Sequence, residues 1–114
     1  MEKKNAFISV FLKRHRDKNR GHHHIVMDSV DDNFVSVGTS SKATKGKNSN
    51  SPNYRCETDI LGNGKLTYLR RQAIIDKKTN YYGSQMGTMS VKDYERARKY
   101  ADKAKQKYLA KKKK

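Results

Sequence analysis

His23-His24-Ile25-Val26-Met27-Asp28-Ser29-Val30-Asp31-Asp32-Asn33-Phe34-Val35-Ser36-Val37-Gly38-Thr39 is the stretch on which the fold turns. His23, Ile25 and Met27 alternate with His24, Val26 and Asp28, the period of two that sends successive side chains to opposite faces of a strand. Val30-Asp31-Asp32-Asn33 carries turn chemistry, and Phe34 to Gly38 resumes the extended pattern. Two such runs joined by short polar residues predict a β-hairpin.

On the N-terminal side, Ala6, Phe7, Val10 and Phe11 fall at helical spacing with Asn5 as a cap, which predicts a short helix to about Arg14. The same Phe, Ile and Val content makes a strand the nearest competitor. A basic linker, Lys13 to Gly21, follows. On the C-terminal side, residues 38–53 read as a long polar loop and Tyr54 to Ile60 as a further short strand. Gly62-Asn63-Gly64 signals a tight turn. Leu66-Thr67-Tyr68-Leu69 and Ala73-Ile74-Ile75-Asp76 read as two more extended runs, closed by Lys77-Lys78-Thr79-Asn80.

Tyr81 to Gly87 reads as a loop, and Ser90 as the N-cap of a helix with Asp93 in its first turn. Val91, Tyr94, Ala97, Ala101, Ala104 and Tyr108 form one apolar stripe on that helix, whose other faces are basic. The fold class is therefore α+β: a small, largely antiparallel β-domain over residues 21–110, closed by a C-terminal amphipathic helix. A basic N-terminal helix or arm (1–20) precedes it and a basic tail (111–114) follows.

The net charge is +16 on 114 residues, and its placement is uneven. Residues 1–20 carry 7 Lys/Arg against 2 acids and residues 92–114 carry 11 against 3, whereas the middle carries 9 against 6. Such a chain repels itself unless a polyanion neutralises it, and nucleic acid is the commonest polyanion. Cys56 is the lone cysteine and has no partner for a disulfide within the chain, which fits a reducing cytosol. The apolar run Ala6 to Leu12 is far shorter than the ~20 residues that span a bilayer, so neither a membrane anchor nor a signal peptide is read.

Three segments in order resemble one known family. They are His22-His23-His24-Ile25-Val26-Met27; Val35-Ser36-Val37-Gly38-Thr39-Ser40-Ser41-Lys42; and Arg71-Gln72-Ala73-Ile74-Ile75-Asp76-Lys77-Lys78 followed by Gly87-Thr88-Met89-Ser90 and a helix. Together, over residues 22–108, they look like the MazF/PemK-like toxins of bacterial toxin–antitoxin systems. The resemblance implies an SH3-like β-barrel and metal-independent endoribonuclease activity on single-stranded RNA. It also implies an acidic protein or RNA antitoxin as partner, is compatible with a homodimer, and calls for no cofactor. Where that family commonly has Arg-Pro at the start of its first core strand, this chain has histidines. It has Ala73 where the family commonly has an arginine three residues before the Asp of the Ile-Asp pair.

Metal-free RNA cleavage needs a base for the 2′-hydroxyl proton, an acid for the departing oxygen and a cation for the charged phosphorane. His22, His23 and His24 suit the first two tasks. Thr39 and Ser40, at the end of the paired strand, can donate to a phosphate oxygen, and Arg71 or Arg70 can supply a guanidinium. Lys42, Lys45 and Lys47 in the polar loop, together with Lys77 and Lys78, suit phosphate contacts. Tyr81 and Tyr82 suit stacking of unpaired bases. The loop lacks the Gly-Lys-Ser/Thr ending of a nucleotide-binding P-loop. A metal site is not expected, because only His22 and His24 can converge and no further ligand completes the set. Two other readings stay open: a non-catalytic nucleic-acid-binding module, and an interaction protein of a mobile element that binds an acidic partner.

Overall fold

The computed structural model describes residues 6–15, 23–40, 53–57, 60 and 67–112, with the side chains of residues 6–10 outside that description. The expected sites His22, Lys42, Lys45 and Lys47, and the turn at 62–64, lie outside the described residues. Six strands form one antiparallel sheet: β1 (Ala6–Arg14), β2 (His24–Val30), β3 (Asn33–Ser40), β4 (Tyr54–Arg55), β5 (Tyr68–Lys77) and β6 (Tyr81–Ser90). A single helix, α1 (Val91–Lys112), follows. The strand order is β4-β5-β3-β2-β1-β6. The fold is α+β, as the sequence predicts.

The β2–β3 hairpin forms as read, with Val30 paired to Asn33 around the turn at Asp31-Asp32. Asp31 takes φ 54, the left-handed geometry such a turn demands. Three sequence readings are corrected. The N-terminal segment is a strand, not a helix: β1 lies between β2 and β6 and pairs with both. Its Phe, Ile and Val residues satisfy either period, and two flanking strands decide for the extended form. Tyr81 to Gly87 is not a loop but most of β6, paired to β1 along nearly its full length. The two extended runs around Arg70 are one strand, β5, interrupted by an irregularity. Val37 faces Ala73 while Thr39 faces Leu69, so Arg70, Arg71 and Gln72 stand opposite Gly38 alone.

The core lies between the sheet and α1. Phe11, Ile25, Val35, Val37, Leu69, Met89, Ala97 and Ala101 are all fully buried. The helix begins as the sequence predicts, with the Asp93 N–H donating to Ser90 Oγ at 3.1 Å. The Asp93 carboxylate, itself fully buried, accepts the Glu57 N–H at 2.9 Å and the Tyr54 hydroxyl at 3.0 Å. That ties the short β4 segment to the start of the helix. Burial, with the Asp93 carboxylate behind it, raises the Tyr54 phenol to about 12, so it remains a donor at any working pH. Cys56 is packed inside and burial pushes its thiol well up, so it fills space and does not react.

The sheet is strongly coiled. β5 and β6 stand four positions apart, about 19 Å in a flat sheet. Only the 3-10 turn Lys78–Asn80 joins them, a connection that reaches about 14 Å at most. On the helix side, the Thr88 N–H of β6 donates to the Ile60 carbonyl at 3.2 Å, bringing the segment after β4 to the opposite edge strand. Gly87 makes room for this approach, since a Cβ there would lie 2.6 Å from the Phe11 ring and 2.9 Å from the Ile60 carbonyl oxygen. Among the described residues, no ladder joins β4 to β6.

Candidate nucleic-acid interface

Beyond Lys92, which lies 3.8 Å from Glu57, and Arg96, over the Tyr54 ring, the cations of α1 divide between two flanks. Arg98, Lys105 and Lys112, spaced by seven, face the β2–β3 hairpin. Arg98 Nη2 and Lys105 Nζ each lie 3.0 Å from Asp28 Oδ2, and Lys112 Nζ lies 2.7 Å from Asp31 Oδ2. Arg98 also donates to the Met27 carbonyl at 2.9 Å, at the point where β2 carries one residue more than β3. Burial alone would raise the Asp28 carboxyl. Hydrogen bonds from Lys105, the Ser29 N–H and Arg98 outweigh it and hold the carboxyl below its ordinary value.

The other flank carries Lys99, Lys103, Lys107 and Lys111, one every fourth residue and all exposed. They border a groove of about 620 Å³ between α1 and β5, lined also by Arg71, Gln72, Ala73, Ile75, Tyr100, Ala104 and Tyr108. Among the described residues, no acidic residue lines it. One flank of the helix is thus neutralised by the chain's own carboxylates, and the other presents a one-sign field over a concave surface, which concentrates polyanions. The sequence reading recognised a basic helix but not this ridge, although lysine at every fourth position was its visible signal. The opposite wall, Arg71, was legible only as a cation, because its position depends on long-range packing.

The residues expected to perform catalysis fall into separate groups. His24 and Arg70 meet on the sheet face away from α1. A Cβ on Gly38 would lie 3.1 Å from Arg70 Cδ and 3.4 Å from His24 Cε1, so the bare glycine lets both side chains close over it. His24 is buried, with its ring edge-on to Tyr81 at 6.1 Å. Arg71 points the other way, into the α1–β5 groove, as neighbouring strand residues do. His23 and Thr39 are joined through backbone: the Thr39 N–H and Oγ1 donate to the His23 carbonyl at 3.0 and 2.8 Å. Thr39 and Ser40 are both buried.

Among the residues expected to hold nucleic acid, Lys77 and Lys78 are exposed at the far end of β5, with Lys78 Nζ 5.4 Å from the Phe34 ring centroid. Tyr81 is inside, its hydroxyl 2.9 Å from Ser36 Oγ, which places its ring in packing and not at a stacking surface. Tyr82 is half-buried and stacks on His15 at 4.3 Å. Among the described residues, no three His, Cys, Asp or Glu side chains gather as metal ligands, and no helix is long and apolar enough to cross a membrane. No family model matches the chain, and no curated protein or solved structure matches it either.

Proposed function

We propose that this protein binds single-stranded RNA along the groove between α1 and β5. The observation that carries the reading is the ridge Lys99, Lys103, Lys107 and Lys111 with Arg71 across from it and, among the described residues, no acid in the lining. Four residues of helix advance about 6 Å, a step comparable to the interval between successive phosphates of an extended strand. Tyr100 and Tyr108 line the same groove, and rings of this type accept unpaired bases. Fluorescence anisotropy with a labelled unstructured RNA tests it. Affinity should fall with salt at a slope of about −0.7 per phosphate neutralised, or about −3 for the four lysines of the ridge. A flat salt response overturns the reading. Binding of an acidic polypeptide in place of RNA would transfer the groove to the interaction-protein reading.

A second reading, that the protein also cuts RNA, at a site on the sheet face opposite the groove, is favoured by His24 and Arg70 converging over Gly38. It is the metal-independent endoribonuclease chemistry that the MazF/PemK-like resemblance implies, with imidazole moving the proton and guanidinium facing the charged phosphorane. Unstructured RNA should be cut in EDTA. His24→Asn should lower the rate by about 10²-fold or more while leaving anisotropy unchanged. RNA that is bound but never cut removes this reading and leaves the first.

A further inference from the structure

The cleft at the β1–β6 irregularity uses none of the residues of the α1–β5 groove. Phe11 faces Gln85 but Lys13 faces Tyr82, so β6 carries one residue more than β1 over this interval. Gly83 takes φ 75 there, the left-handed glycine of a G1-type bulge. A Cβ at Gly83 would meet nothing within 4 Å, so its backbone opens onto space instead of packing. Beside it lies a cleft of about 250 Å³ lined by Phe11, Lys13, His23, Tyr82, Gly83, Ser84 and Gln85. Lys13, His23, Tyr82, Ser84 and Gln85 can all donate hydrogen bonds, and among the described residues none of the lining is acidic.

We propose that this cleft is a phosphate-binding site of nucleotide size, independent of the RNA reading of the groove. Two of its donors, His23 and Tyr82, sit on elements held in place before a ligand arrives. The His23 backbone is fixed by the two hydrogen bonds its carbonyl accepts from Thr39, and its ring stands edge-on to Phe11 at 6.4 Å. Tyr82 is held by the parallel stack with His15 at 4.3 Å. A lysine, an imidazole and a hydroxyl around an opened backbone suit an oxyanion, and the half-buried Tyr82 ring gives a partly apolar wall for a sugar or base. Bulges that break a ladder beside a cleft commonly serve such sites.

The test is ¹H–¹⁵N NMR of the full chain titrated with inorganic phosphate, 5′-uridine monophosphate and uridine. The monophosphate should shift the signals of Lys13, His23 and Ser84 and bind more tightly than phosphate, while uridine leaves them in place. Lys13→Ala should weaken the monophosphate about tenfold or more, whereas Lys103→Ala should not. Ser84→Asp, at an exposed position, places a repelling carboxylate at the mouth and should abolish binding even if Lys13→Ala fails to fold. Absence of shifts, binding of uridine as tight as that of the monophosphate, or insensitivity to Ser84→Asp overturns the site. Equal affinity for phosphate and monophosphate overturns its nucleotide size.

Discussion

Ser36 on β3 and Tyr81 on β6 share a hydrogen bond of 2.9 Å although β2 and β1 stand between their strands. The bond exists because the coiled sheet carries the start of β6 over the face away from α1. Burial raises the Tyr81 phenol, so the ring stays protonated and the bond persists through neutral pH. Ser36 is fully buried, and Tyr81→Phe leaves its hydroxyl without this partner. The expected cost is about 1–2 kcal/mol in a urea titration. Combining it with Ser36→Ala should cost less than the sum of the two single changes, because the stranded hydroxyl is then gone.

Asp93 makes a stronger prediction, since its carboxylate is fully buried and holds groups from two segments. Asp93→Ala strands the Tyr54 hydroxyl and the Glu57 N–H and leaves a void at the helix start. We expect a loss of about 2–3 kcal/mol, seen as a lowered urea midpoint. Tyr54→Phe, which leaves the carboxylate its Glu57 contact, should cost about 1 kcal/mol.

The contrast between these elements explains what the chain discloses on reading. The hairpin and the cap of α1 are local: Asp31-Asp32 makes its turn and Ser90 accepts the Asp93 N–H within a few residues. β1 is not local, because Phe7, Val10 and Phe11 fit a helix or a strand equally and partners far along the chain choose. β6 carries Gly83 and Gly87 and few β-formers, so propensity argues for a loop. Its ladder with β1 and the close approach of Ile60 override that preference. At the interface, cation identities were readable, but which cations meet carboxylates was not. Asp28 reaches Arg98 across 70 positions of sequence.

The Asp28 cluster sets an acid limit. The folded carboxyl titrates below its ordinary value of 3.8, held there by Lys105, the Ser29 N–H and Arg98 against the opposing effect of burial. Asp31 is lowered in the same direction by Lys112 and Tyr108. A depressed carboxyl stabilises the fold above its unfolded value and loses that contribution as pH falls through the folded value. Melting temperature should therefore be insensitive to these groups from pH 7 to about 5 and should fall below about pH 4. Asp28→Asn should be less stable at neutral pH and should show a shallower acid decline.

Substitution of Gly38 tests the cutting reading apart from the binding one. Its missing Cβ would lie 3.1 Å from Arg70 Cδ, a flexible side chain that can yield. Gly38→Ala should therefore keep the fold, with a stability change within about 1 kcal/mol, while displacing Arg70 from His24. If the His24–Arg70 pair cuts RNA, the cleavage rate falls and RNA affinity, read by anisotropy, does not. An unchanged rate removes this pair from catalysis.

The partition of charge on α1 makes the groove testable one lysine at a time. Lys103 and Lys107 line the groove, where none of the described lining residues is acidic, so each should release a counterion when a phosphate arrives. Lys103→Ala or Lys107→Ala should reduce the salt slope of RNA binding by about 0.7. Lys105 lies between them in sequence but already faces Asp28 at 3.0 Å, where an RNA phosphate would have to displace a carboxylate. Lys105→Ala should leave the slope nearly unchanged and instead lower stability. All three substitutions remove the same charge from the same helix, so a general attraction of RNA to a basic protein predicts equal effects. A slope that depends on which flank is altered is the result expected of a strand seated in the groove, and equal slopes overturn it.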